Sequence, residues 1–392
     1  MSLAGAELLP MAHQLLAQAE QHQDAPNLWM NLSIAMQCLG QRELGLTIQG
    51  QALEMQRVYE LPATLQPSRF RLLVLMVPGD ISSNTPLDCL LENSDISLIH
   101  YYVSSGDPLA RPVPEHDAVF VAIGDSDANR CILLALEKSL GQWPAPVINL
   151  PQNIPTTGRN TASTLMNNAP GLLMPLTMRA PRLALMTIAE GHASLPEYFS
   201  GVSFPIILRP LGSQAGNDLD KIDGPHGISL YLSRVKGDEF FISCFIDYSG
   251  VDGLFRKFRI ALIDGVPYAC HMAVSSHWMV HYVNAHMYED AGKRSEEAQF
   301  MEHFDAFVQR HRDALDAVYQ RTGLDYFCID CAETRDQQLF VFEVDHVMVV
   351  HDMDPVDLFP YKHAHVQKMQ DAFRRMLFER MAGAKQNGNA LR

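Results

Sequence analysis

The chain has 392 residues, 47% of them apolar, and a formal net charge of −15. This composition supplies packed cores and excludes a disordered chain. The acidic balance argues against a nucleic-acid backbone as partner, because that surface needs clustered Lys and Arg.

Seven cysteines, odd in number and sparse, read as the reduced thiols of a cytoplasmic protein. No leader with a basic start and an apolar run is expected, nor a membrane span, since no stretch of ~18 apolar residues occurs. In chain order, residues 1–62 read as helices, with the second and third at 27–39 and 42–58 around the turn LGQRE. Trp29, Leu32, Met36, Leu44, Ile48 and Ala52 recur at helical spacing. The stretch resembles one tetratricopeptide repeat at Trp29, Leu32 and Ala52, while Ser33, Gly45 and Gln49 replace its usual Gly, Ala and aromatic. One repeat cannot bury its own face, so it packs on another chain, a protein or peptide partner or a homodimer mate, or caps the next domain as a plain helical hairpin.

From residue 69 strands and helices alternate: RFRLLVLMV, TPLDCLLEN, ISLIHYYV, HDAVFVAIG, NRCILLALEKSL and PAPVINLP. That order predicts an α/β domain with a parallel sheet, and ligands bind beyond the carboxyl ends of such strands. The loops GDISSNTP (79–86) and GDSDAN (124–129) lie there, and neither carries a dinucleotide or P-loop fingerprint. A Pro-rich crossing and a helix at 159–169 lead to a run of strands: FPIILRP, HGISLYLS, DEFFISCFID, KFRIALIDG and PYACHMAV. Gly-rich turns between them predict antiparallel pairing. An amphipathic helix at 296–320 carries Phe300, Phe304, Phe307, Val308, Leu315 and Val318 on one face. A helix at 361–382 closes the fold, and AKQNGNALR reads as a frayed tail.

Between these last helices, LDYFCID and LFVFEV are strands joined by the polar turn ETRDQQ. A hairpin centred near Arg335–Asp336 sets Asp330 opposite Glu343, and alternation puts Glu343 and Asp345 on one face. Three carboxylates so close repel unless a partner compensates, and Mg²⁺, which takes carboxylates together with phosphate oxygens, is the natural one. Cys328 and Cys331 form a C-x-x-C inside a strand with no second ligand pair, which points away from zinc or redox use. Upstream, Arg209 ends a strand beside a Gly-rich loop, Gly212-Ser213-Gln214-Ala215-Gly216, that can offer N–H groups to phosphate. Lys257 and Arg259 share one face of a third strand. Cations for phosphates and carboxylates for Mg²⁺ are what a nucleoside triphosphate requires.

In order and chemistry these pieces resemble the ATP-grasp superfamily of carboxylate–amine ligases over about 150–380, with the sheet at 69–150 similar to the α/β domain that precedes it in that family. With the helices, tetratricopeptide-like, at 1–65 and the tail at 386–392 read from the residues, the resemblance implies an α/β pre-ATP-grasp domain at 66–155 and an ATP-grasp domain of α+β character with antiparallel sheets at 156–385. It places ATP against Arg209, Gly212, Ser213, Gly216, Arg159 and a hinge at Cys244, Phe245, Ile246 and Asp247. It assigns Mg²⁺, with Mn²⁺ as the alternative, to Asp330, Glu343 and Asp345, and catalytic contacts to Lys257 and Arg259. Arg209 stands where the family has Lys, Asp345 where it has Asn, and Asn160, with Arg159 beside it, where a second Lys often begins the domain. The implied reaction activates a small-molecule or peptide carboxylate as an acyl phosphate and joins it to an amine. A nucleotide-binding pseudoenzyme and a metal-dependent hydrolase without nucleotide are the alternatives. His271, His277, His281 and His286, with Ser275 and Ser276, read as polar lining of a substrate pocket rather than a second metal site, His351 belongs to the same histidine-rich stretch, and His346 reads as structural.

Overall fold

The computed structural model describes residues 8–104, 106–213 and 216–390. Three helices open the chain: α1 (Leu8–Gln21), α2 (Pro26–Cys38) and α3 (Arg42–Met55). Leu32, Ala35 and Ile48 pack together between α2 and α3, and Met30 packs with Ala52 and Leu53 in a second cluster. Val58–Leu61, read from sequence as part of the helical segment, is instead an edge strand, β1. Its VYEL composition suits a strand, and it pairs antiparallel with the later Ile96–Tyr102.

The first sheet has the order β1-β3-β2-β4-β5, with β2 Phe70–Met76, β3 Ile96–Tyr102, β4 Ala118–Val121 and β5 Val147–Ile148. All its pairs except β1–β3 are parallel. β2 and β4 are buried on both faces, which is why they read as unbroken apolar runs. Helices α4 (Leu87–Leu90) and α5 (Arg130–Leu140) follow β2 and β4, and α6 (Arg159–Leu165) follows the Pro-rich crossing.

The later strands divide between two sheets. One has the order β7-β10-β8-β9, with β6 (Leu172–Leu173) outside it and β7 Met178–Pro181, β8 Ile206–Pro210, β9 Asp220–Ile222 and β10 Glu239–Cys244 inside. Helices α7 (Arg182–Ala189), α8 (Leu195–Tyr198) and α9 (Pro225–Arg234) cover it. HGISLYLS, expected as a strand, is most of α9. Pro225 starts the helix, Ile228, Tyr231 and Leu232 face the core at i, i+3 and i+4, and Leu230 points to solvent.

The second later sheet has the order β12-β11-β13-β14-β6, with β11 Phe255–Ile263, β12 Val266–Ser275, β13 Tyr326–Glu333 and β14 Leu339–Asp345. Its strands pair antiparallel except β14–β6. The expected helix at 296–320 is three segments, α10 (Ala291–Glu302), α11 (Phe304–Arg310) and α12 (Arg312–Thr322). The breaks fall at His303 and His311, where the chain turns so that Phe300, Phe304 and Phe307 can pack on Phe258 and one another. The last helix, α13 (Lys362–Ala390), extends into the stretch expected to fray, whose last two residues lie outside the described ones. Its face carrying Val366, Met369, Phe373, Met376 and Leu377 joins Phe70, Phe120 and Tyr326 in one core, so it covers the first and last sheets together. Among the described residues no helix is long and apolar enough to cross a membrane.

Candidate active site between two sheets

A cavity of about 410 Å³ opens between the four-stranded sheet and the last sheet. β8 contributes Ile207 and Arg209, β10 contributes Phe241, Ser243 and Cys244, β11 contributes Lys257 and Arg259, and β13 and β14 contribute Asp330, Glu343 and Asp345. The hinge that joins the two walls, Phe245 and Ile246, lines it too. Alternation explains the convergence: Lys257 and Arg259 share the cavity face of β11, while Phe258 between them enters the core.

The hairpin has the expected pairing. Asp330 stands opposite Glu343, and the turn closes through Thr334 N donating to Gln338 O at 3.0 Å. The three carboxylates nevertheless divide. Both oxygens of buried Asp330 accept from Arg259, at 2.8 and 3.0 Å, and Lys257 Nζ lies 2.7 Å from the same group. Burial alone would raise the pKa of Asp330, but Arg259 and Lys257 hold it far below the usual carboxylate range. Glu343 accepts from Arg159, which the first turn of α6 delivers to the cavity. Asp345 is pushed up to about 7, first by burial and then by the like charge of Glu343.

A divalent cation would relieve that last crowding. Glu343 and Asp345 lie two residues apart on one wall and supply hard oxygen donors of the kind Mg²⁺ accepts beside phosphate oxygens. Asp330 is paired with Arg259 and Lys257, and Glu343 with Arg159, so a metal ion here would compete with those cations for the carboxylates. Among the described residues no group of three or more His, Cys, Asp or Glu gathers as a metal cluster.

Arg209 is buried, and its Nε donates to Ser213 Oγ at 3.1 Å while Nη2 donates to Ser213 O. Burial and the neighbouring Arg159 lower its pKa to about 10, which still leaves it cationic near neutrality. Gly212 and Gly216 both take positive φ, +73° and +75°, which only glycine adopts without strain. A side chain on Gly216 would meet Met279 Sδ at 3.3 Å, so this loop closes against the segment after β12. Gln214 and Ala215, the middle of the expected phosphate loop, lie outside the described residues.

The other end of the cavity is apolar. Tyr248 packs edge-on against Phe255 and Phe342, and Phe245 against Trp278. Lys221 Nζ sits 4.3 Å from the Phe245 ring centre. The hinge amide Phe245 N donates to Pro205 O at 2.8 Å and is therefore already used. Of the histidines, His281 lines the cavity. His271 packs against Tyr282 with ring centres 4.8 Å apart and planes inclined at 56°, and its pKa is driven down by burial and by Arg259. His277 and His286 are exposed, and His351 Nδ1 accepts from Met353 N at 3.2 Å. His346 is fully buried and its Nε2 donates to Ile123 O at 3.0 Å, a structural role. Cys328 and Cys331 are buried free thiols.

Sequence reasoning missed Ser82, Tyr248, Trp278 and Met279 in the cavity wall. Ser82 belongs to the loop 79–86, whose place beyond a strand end was the available signal. The aromatic residues lie in irregular segments, where no periodicity marks them.

No protein-family model matches the chain, and no curated protein matches it. The likeness of α2–α3 to a tetratricopeptide repeat therefore stands on Trp29, Leu32 and Ala52 alone. Solved structures do match. The D-alanine-D-alanine ligase from Coxiella burnetii superposes with a TM-score of 0.50 at 12% identity, over 82% of this chain and 98% of that one. The D-alanyl-alanine synthetase A from Vibrio cholerae gives 0.49 at 10% identity, over 81% and 99%. A RimK domain ATP-grasp protein from Sphaerobacter thermophilus gives 0.46 at 12% identity, over 79% and 99%. Identity this low speaks to fold alone, and the first of the three carries it: the chain has the fold of the ATP-grasp superfamily.

Proposed function

We propose that the protein is an ATP- and Mg²⁺-dependent ligase that activates a carboxylate as an acyl phosphate and joins it to an amine. The observation that carries this reading is the charge arrangement of one cavity. Arg159, Arg209, Lys257 and Arg259 face Glu343 and Asp345 at one end, and an apolar hinge lies at the other. The neighbour from Coxiella burnetii bears the name of a ligase that joins two amino acids, which accords with the reading.

In this scheme the adenine lies against Ile207, Phe241 and the hinge, where apolar surface is removed from water. Arg209 and the Gly212–Ser213 backbone hold the phosphates. Glu343 and Asp345 would hold Mg²⁺, whose charge would offset that of the triphosphate. A substrate carboxylate attacks the γ-phosphorus, the bond to the β-phosphate oxygen breaks, and ADP leaves. Arg259 and Lys257, preorganised by Asp330, stabilise negative charge as it moves to the acyl phosphate. An amine then attacks the acyl carbon, and inorganic phosphate leaves with the bonding pair and takes up the proton that the amine loses. No protein nucleophile is required.

One observation favours a second reading. Asp330 and Glu343 are both paired with Arg or Lys side chains, an arrangement that also suits a site binding nucleotide without turnover. The hydrolase reading finds no donor cluster among the described residues.

Calorimetric titration of ATP with and without Mg²⁺, on wild type and Glu343→Gln, comes first, followed by an ADP-release screen over carboxylate–amine pairs. Mg²⁺-dependent binding lost in the variant, with ADP release for some pair, supports the ligase. Binding with no ADP release supports the second reading. No binding in wild type refutes both.

A further inference from the structure

The N-terminal helices grip one loop of the cavity wall, residues 79–86, at three consecutive positions. Buried Gln49 on α3 exchanges two hydrogen bonds with one residue. Its Oε1 accepts from Gly79 N at 2.8 Å, and its Nε2 donates to Gly79 O at 2.9 Å. Next along the loop, Asp80 Oδ2 accepts from Arg42 Nε at 3.1 Å. Then Ile81 N donates to Gln37 Oε1 at 3.1 Å, while Gln37 Nε2 donates to the fully buried Ser33 Oγ at 3.2 Å. A buried amide is costly unless its donors and acceptors are met. Gln37 and Gln49 are met only with the loop in this conformation. Gly45 completes the arrangement, since a Cβ there would lie 2.5 Å from Gln37 Cγ.

The other half of the loop is held by its own sheet. Asn84 Oδ1 accepts from Val77 N at 2.8 Å, and its Nδ2 donates to Val77 O at 2.9 Å. Gly124 N donates to Ser83 O at 3.0 Å. Between the two grips stands Ser82, which lines the same cavity as Arg159 and Arg259. Its backbone N and Oγ both donate to Asp80 Oδ1, at 3.1 and 2.6 Å. Asp80 thus links the helix side of the loop to its cavity side.

We propose that Gln49 and Gln37 are positioning residues for the carboxylate substrate. By fixing Gly79–Ile81 they set Ser82 in the wall of the cavity that Arg159 and Arg259 also line, so the N-terminal helices belong to the active site's specificity apparatus. This rests on the ligase reading. Arg209, the hinge and the Gly212–Gly216 loop lie on other elements, so the nucleotide end is independent of this grip.

The test uses the full chain and the carboxylate–amine pair that releases ADP with wild type. In Gln49→Leu and in Ser82→Ala, KM for the carboxylate should rise roughly tenfold while KM for ATP stays within about twofold. Gln49→Glu keeps the acceptor for Gly79 N and should recover part of the loss. Should Gln49→Leu fail to fold, Asp80→Asn, which weakens the Arg42 and Ser82 links, is read in its place. An unchanged carboxylate KM, or equal losses for carboxylate and ATP, overturns the assignment. A wild type that releases no ADP with any pair overturns the ligase reading and this inference with it, so the two failures are told apart.

Discussion

Asp330 and Arg259 are cross-strand partners on β13 and β11, and both oxygens of the buried carboxylate receive both arms of the guanidinium, at 2.8 and 3.0 Å. Lys257 adds a third contact at 2.7 Å. Removing one member of such a buried set strands the others. Asp330→Asn should therefore lower stability by about 3–5 kcal/mol. The folded-state pKa lies below the unfolded value of about 4, so the contribution is present above that value and lost as pH falls through and beneath it. Denaturant midpoints for wild type and Asp330→Asn should differ most near neutrality and converge in acid.

Asp345 gives the opposite pH signature. Its carboxyl is raised to about 7, so a cation bound there must displace a proton below that pH. Mg²⁺ affinity should climb from pH 6 to 8 and then level off, with proton release read from calorimetry in buffers of different ionisation heat. A raised carboxyl pKa also costs stability as pH rises from the ordinary range to about 7, at most ~1.4 kcal/mol for each tenfold fall in proton concentration. Asp345→Asn should accordingly raise the thermal midpoint at pH 8 and leave it nearly unchanged at pH 4.

Arg209 holds Ser213 through two donors and stays charged up to about pH 10. Arg209→Ala should weaken ATP binding by about tenfold to a hundredfold, the loss expected for charged hydrogen bonds worth about 1.5–3 kcal/mol. Arg209→Lys keeps the charge but not the planar fork, and should fall between the two. Fluorescence titration with ATP and Mg²⁺ distinguishes the three proteins.

Lys362, at the start of α13, is buried beside Asp354 at 2.8 Å and Glu297 at 3.4 Å, and its Nζ also donates to Tyr282 OH. Tyr361 OH donates to Glu297 at 2.6 Å, and Tyr288 OH to Asp354 at 2.5 Å. Lys362→Met leaves two buried carboxylates without their cation and should cost about 3–5 kcal/mol. Lys362→Met combined with Glu297→Gln should recover part of that loss in the same denaturation experiment.

How much can be read from sequence depends on how local the signal is. The facing of Asp330 and Glu343 follows from strand alternation around a short turn, so it is legible. The ordered cations Arg209, Lys257 and Arg259 are legible for the same reason. HGISLYLS is ambiguous because Ile228, Leu230 and Leu232 alternate like a strand while Ile228, Tyr231 and Leu232 also fit a helix. Only the exposure of Leu230 decides between them. The pairing of Arg159 with Glu343 joins residues 184 positions apart, and no local pattern encodes it. The division of the three carboxylates among their cations is hidden for the same reason. The grip of Gln49 on Gly79 is obscured because Gln49 stands out in sequence only as a departure from a repeat signature.

The cover that α13 provides for the first sheet has a consequence for synthesis. Arg374 on α13 pairs with Asp95 at 2.7 and 2.6 Å across 279 residues of sequence, and Phe373 packs on Phe120. A ribosome adding ~5–20 residues per second completes Asp95 roughly 15–55 s before Arg374. For that interval the apolar side of β2 and β4 that α13 later covers lacks this lid, so the nascent chain should be aggregation-prone until its final helix emerges.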